Sequence, residues 1–142
     1  MKVRTDYVSN SSSSSFVLVG KVFEGDKLLE MLEDKYKVEK PTLLEELADE
    51  DDRYKLFELL EAYLSGTSLR QEVEDYDNGV EDISVCIGVD PNEMKGNETL
   101  NEFKEKIAEK ITKAGLSCEK SEVEFVCGGS DASGFSWFGD CG

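Results

Sequence analysis

The sequence contains no histidine, and only two of its 142 residues are proline. Without an imidazole, Ser-His-Asp and Cys-His nucleophile pairs are excluded, because each needs that ring to carry the proton. Long apolar runs are missing too. None approaches the ~20 residues that cross a bilayer, and Phe16–Val19 is too short for the core of a secretory signal. The chain therefore reads as cytoplasmic and without a membrane partner. Basic residues are scarce, with 16 Lys and Arg against 32 Asp and Glu, a formal net charge of −16. A field of that sign repels phosphate backbones, so direct nucleic-acid binding is not expected.

Cysteine is present four times, at Cys86, Cys118, Cys127 and Cys141. No two form a C-x-x-C pair, and their wide, uneven spacing fits no zinc finger or ribbon. No metal or cofactor is expected, and the thiols read as reduced, partly buried small hydrophobes. A phosphate-binding P-loop fails at Gly20-Lys21, where Val22 stands in place of the hydroxyl that would hold magnesium. The calcium-loop look of Asp75, Asp77 and Gly79 fails at the twelfth position, Cys86, which would have to be glutamate.

Periodicity locates the elements. "FVLVGKVF" reads as a strand buried on both faces. Leu28, Leu29, Leu32 and Tyr36 recur at helical spacing. Pro41-Thr42 ends that helix and starts another, with Thr42 and Glu45 as a capping box. Asp51 or Asp52 caps a third helical piece whose buried side is Leu56, Leu60, Tyr63 and Leu64, and Gly66 stops it. Asn78-Gly79 between two strand-like runs signals a hairpin. Ile83, Val85, Ile87 and Val89 give the second of those strands one apolar face.

Leu100, Phe103, Ile107 and Ile111 form the stripe of an amphipathic helix, opened by a Thr99–Glu102 capping box and closed by Gly115. "SEVEFVC" alternates Val123, Phe125 and Cys127 as a further strand. The resulting β-α(α)-β-β-α-β order is α+β and that of a ferredoxin-like split βαβ, with the helices on one face of a mixed sheet. Residues 1–15 read as a flexible arm ending in the polyserine segment, and 16–142 as a single domain with a glycine- and aromatic-rich tail. In the tail, Phe135, Trp137 and Phe138 read as an edge strand returning after a Gly128-Gly129 turn. If that strand pairs back on "SEVEFVC", Cys141 falls near Cys118 and the two are expected to bridge under oxidising conditions.

Two stretches carry a resemblance. "KVRTDYVSNSSSSSFV" is similar to an opening that recurs in small uncharacterised proteins of bacteria, their phages and other mobile elements. "IGVDPNEMKGNETLNEFKEKI" resembles a segment of the same proteins, with Glu98-Thr99 and Glu102-Phe103-Lys104 matching and Gly96-Asn97 departing from it. No activity is attached to that group, so the resemblance implies a bacterial or phage-infected cytosol and assigns no catalytic residue.

Composition and exclusion together give an acidic, protein-binding module rather than an enzyme, with a partner that presents a basic surface. The residues expected to touch that partner are Ser11, Ser12, Ser13, Ser14, Ser15 and Phe16, together with Phe135, Trp137 and Phe138, since aromatic anchors dominate interfaces. The alternative is a small enzyme or ligand-binding domain that uses the open face of the sheet or the Gly128–Gly134 loop.

Overall fold

The computed structural model describes residues 14–75, 79–130 and 136–139. Strand β1 (Ser14–Glu24) is followed by helices α1 (Gly25–Glu39), α2 (Pro41–Glu46) and α3 (Asp52–Leu64). Strands β2 (Arg70–Asp75) and β3 (Ile83–Val89), helix α4 (Leu100–Lys113), and strands β4 (Glu124–Ser130) and β5 (Ser136–Gly139) complete the order. The five strands form one sheet in the order β2-β3-β1-β4-β5. Its first four strands are arranged as a split βαβ, and the class is α+β as the sequence predicts. Every pairing is antiparallel, so the sheet is not the mixed one expected. Each of the two helical connections from one strand to the next skips a neighbour in the sheet, which lets antiparallel partners fill between them.

The local signals explain most of these elements. In α1, Leu28, Leu29, Leu32 and Tyr36 are buried. The Thr99 hydroxyl accepts the Glu102 N–H at 3.1 Å while the Glu102 carboxylate accepts the Thr99 N–H at 2.9 Å. That reciprocal pair satisfies two orphan donors at the start of α4. The Asp51 carboxylate accepts the Tyr54 N–H at 2.8 Å and caps α3, where Leu59 joins Leu56, Leu60 and Tyr63 in the core. The start of α2 differs from expectation. Lys40 precedes the helix, Pro41 occupies its first turn and no side chain caps it. Proline's fixed φ is preorganised for the first helical position, where its missing N–H removes an orphan donor, so Thr42 lies inside the helix.

The β2–β3 hairpin forms with Asp75 opposite Ile83. Its connection spans residues 76–82 and ends in a single tight turn at Val80–Asp82; Asn78 lies outside the described residues. Strand β4 continues through Gly128 and Gly129 to Ser130, so those glycines pair with Phe16 and Ser15 and do not make the turn. Glycines are tolerated inside this strand because a sheet ladder needs only backbone.

The core lies between the helices and one face of the sheet. Val19, Phe23, Ile83, Val85, Ile87, Val89 and Val123 pack there against the leucines of α1 and α3 and against Phe103, Ile107 and Ile111 of α4. Tyr63 donates its buried hydroxyl to the Ile111 carbonyl at 3.1 Å and ties α3 to α4. On the other face Leu18, Cys86 and Val126 form a second, smaller buried cluster, with Phe16 and Phe138 against it. In β4 the apolar parity is therefore split. Val126 is 4% exposed on the second face, whereas Phe125, expected inside, is 42% exposed. No helix of the described residues is long and apolar enough to cross a membrane.

Candidate functional site

The face turned away from the helices is where the sequence places an open surface, and the strand register defines its occupants. Residues directly opposed in an antiparallel sheet share a face. Val22 pairs with Cys86 and Cys86 with Glu72, Leu18 pairs with Val126, and Gly128 lies between Phe16 and Phe138. Gly20 and Gly88 face each other in the middle strands. A Cβ on Gly20 would sit 2.0 Å from the Ile87 carbonyl oxygen, and one on Gly88 would sit 2.1 Å from that of Val19. Only glycine lets the two backbones approach so closely.

The sheet curls toward this face, and its two outer strands, β2 and β5, come into contact. The Phe138 N–H donates to the Glu74 carboxylate at 2.6 Å, joining opposite edges of the sheet. Phe16 and Phe138 meet edge to face, with ring centroids 5.7 Å apart, and cover Leu18, Cys86 and Val126. The aromatic pair predicted to contact a partner is thus brought together over the molecule's own second cluster.

The other predicted contact residues are placed as follows. Ser14 and Ser15 belong to β1 and pair with Ser130 and Gly129. Trp137 belongs to β5 and pairs with Gly129. Ser11, Ser12, Ser13 and Phe135 lie outside the described residues, as does most of the Gly128–Gly134 loop.

The free thiols of Cys86 and Cys118 are held in a form unsuited to attack. Burial pushes the Cys86 thiol up to about 12, and the nearby Glu72 and Glu124 carboxylates add to the shift. Burial also raises Cys118, against the opposing pull of Lys21. A nucleophilic thiolate needs the opposite environment. Cys118 is a free, buried thiol, so the expected bridge to Cys141, itself outside the described residues, is not formed. Cys127, which opposes Gly139 in the β4–β5 pairing, is disulfide-bonded, so it is not the reduced thiol that the sequence predicts. Among the described residues no group of three or more Cys, Asp or Glu side chains is arranged to hold a metal ion.

The helical side carries the charge. From the end of α2 to the start of α3 the carboxylates of Glu45, Glu46, Asp49, Glu50, Asp51 and Asp52 are all exposed, while Leu47 in their midst is buried and anchors the segment. Elsewhere several lysines are engaged. Lys21 meets Glu122 at 3.0 Å and donates to the Ser117 carbonyl at 3.0 Å. Lys35 meets Glu39 at 2.7 Å and Lys106 meets Glu98 at 2.5 Å.

Sequence reasoning missed the Gly20–Gly88 pair and the Glu74 carboxylate. Two glycines inside otherwise β-branched strands were the available signal for the first, since they mark close backbone approach. Glu74 carries no such mark in a chain with 32 acidic residues.

No protein-family model matches this chain, and neither the curated proteins nor the solved structures compared with it give a match.

Proposed function

We propose that this protein acts by binding a partner protein with a basic surface, and not by catalysis. The observation that carries the reading is the exposed acidic segment from the end of α2 to the start of α3, six carboxylates within eight positions held in place by the buried Leu47. Fixed carboxylates on a body of net charge −16 steer a cationic surface into encounter and make the association sensitive to salt. The lack of histidine and the raised Cys86 and Cys118 thiols weigh against covalent or acid–base chemistry. The open-face alternative loses much of its room, because Phe16 and Phe138 cover Leu18, Cys86 and Val126. The similarity of the opening and of Ile87–Ile107 to bacterial and phage proteins supports a bacterial or phage-infected cytosol as the setting.

The test is affinity capture from bacterial lysate with the parent chain and with a Glu45→Gln/Glu46→Gln/Asp49→Asn/Glu50→Gln variant, at about 50 mM and about 500 mM salt. The expected outcome is a protein retained by the parent at low salt, released at high salt, and not retained by the variant. Equal retention by both baits would remove the acidic segment from the reading.

A further inference from the structure

A cavity of about 200 Å³ opens between α1, α2 and α3. Its first wall is one stripe of α1, formed by Glu30, Glu33, Asp34 and Lys37, which follow the three-and-four spacing of a single helix face. Leu44, Leu47 and Leu59 supply apolar surface, and Lys55 of α3 adds a second ammonium. The apolar part is firmly built, since Leu47 is 7% exposed and Leu59 is fully buried.

The charges around this apolar surface do not neutralise one another. Among the described residues neither Lys37 nor Lys55 forms an ion pair, and neither do Glu30, Glu33 and Asp34. Glu33 and Lys37 stand four apart in the orientation that favours pairing on a helix, yet both remain available. The same helix does form an ion pair four residues apart on its other side, in the reverse order, between Lys35 and Glu39. Carboxylates and ammonium groups thus border one small, partly apolar cavity without ion-pair partners among the described residues.

We propose that this cavity binds a small aliphatic α-amino acid. Its ammonium group would meet the Glu30, Glu33 and Asp34 carboxylates, its carboxylate would meet Lys37 and Lys55, and its side chain would lie on Leu44, Leu47 and Leu59. Charge-assisted hydrogen bonds at both ends and apolar contact between them are what such a zwitterion requires. The volume sets the size. It lies below the ~300 Å³ at which sites for drug-sized ligands begin, so a peptide or nucleotide is too large. A simple anion is disfavoured by the three carboxylates. The cavity shares Leu47 with the acidic segment proposed for partner binding, but none of that segment's carboxylates lines it, so the capture experiment and the titration below read different groups.

The experiment is a titration of the intact, ¹⁵N-labelled protein with L-leucine, isopentylamine and isovalerate, followed by amide chemical shifts. Leucine is expected to shift amides of α1, α2 and α3 saturably, with a dissociation constant on the order of 1 mM or tighter. Isopentylamine, which lacks the carboxylate, is expected to bind about fivefold or more weakly, and isovalerate more weakly still. Lys55→Ala, which leaves Lys37 in place, is expected to lower leucine affinity part of the way toward that of the amine without weakening the amine. Leu44→Trp, which fills the cavity, is expected to abolish binding with the far-ultraviolet circular dichroism retained. The proposal is overturned by the absence of saturable shifts at about 20 mM leucine, by shifts scattered outside these helices, or by an amine that binds the parent as tightly as leucine.

Discussion

The Glu74 carboxylate accepts the backbone N–H of Phe138 at 2.6 Å, joining strands that stand at opposite ends of a five-stranded sheet. Edge strands present unpaired N–H and C=O groups that invite other chains. Here one side chain occupies part of that edge and holds β5 beside β2. Glu74→Ala is expected to cost about 1.5–3 kcal/mol, the range for a hydrogen bond to a charged group, and Glu74→Gln less, because an amide oxygen still accepts. Urea denaturation measures the loss, and faster hydrogen exchange at the Phe138 amide locates it. An unchanged exchange rate in Glu74→Ala would show that the contact contributes nothing to holding β5.

The Gly20–Gly88 approach sets a harder limit. An added Cβ would lie 2.0 to 2.1 Å from a carbonyl oxygen of the facing strand, and backbone cannot rotate away as a flexible side chain can. Gly20→Ala and Gly88→Ala are each expected to lose about 3 kcal/mol or more, at the upper end of overpacking effects. Gly96 is the control. Nothing lies within 4 Å of its Cβ position, so Gly96→Ala is expected to be neutral or slightly stabilising through the unfolded chain. Comparison of the three denaturation midpoints decides the matter.

Removal of the Thr99 hydroxyl breaks one half of the capping box that opens α4. Thr99→Ala is expected to cost about 1 kcal/mol, and Thr99→Asp to restore most of it, since a carboxylate both caps the N–H and faces the positive end of the helix dipole. Thermal unfolding of the three proteins at one pH tests the order.

Three carboxylates give the stability of the fold opposing dependences on pH. Burial raises Glu72, with Arg70 partly opposing. The folded state therefore holds that proton more tightly than the unfolded chain, and stability falls as pH rises from the unfolded value toward the raised one. Glu98 is lowered chiefly by its hydrogen bond with Lys106, and Glu122 by the Glu119 backbone N–H and then Lys21. Their contribution is present above the unfolded carboxylate range and is lost as pH falls through their lowered values. Glu72→Gln is accordingly expected to raise Tm by a few degrees at neutral pH and to give no gain below about pH 4, where the parent's Glu72 is protonated in both states. A gain of equal size at both pH values would assign the effect to packing.

How much of this was legible in the sequence depends on range. Helix stripes and caps are local, and Leu28 to Tyr36, Asp51 and the Thr99–Glu102 pair carry their own signal within one or two turns. The alternation in β3 predicts its buried face because β3 lies between two other strands, β1 and β2. Strand β4 misleads, since its Val126 packs on a second cluster that exists only because the sheet curls and β5 returns. The aromatics Phe16 and Phe138 stand far apart in the chain, and nothing local to either tells that they meet. The cavity between α1, α2 and α3 is equally hidden. Its α1 stripe reads as an ordinary solvated helix face until α2, shortened and turned by Pro41, brings Leu44 and Leu47 beside it.

The central position of β1 also governs how the chain can be made. Val19 lies opposite Val89, and Val17 opposite Cys127, so β1 leaves the ribosome before both of its neighbours and lacks them until much later segments emerge. At about 5–20 residues per second, its second flank stays unpaired for several seconds or more. The apolar run Phe16–Val19 is the segment most exposed to other nascent chains in that interval. Its protection then falls to what travels with it: the serines on one side, Lys21 on the other, and the like charge of the helices that follow.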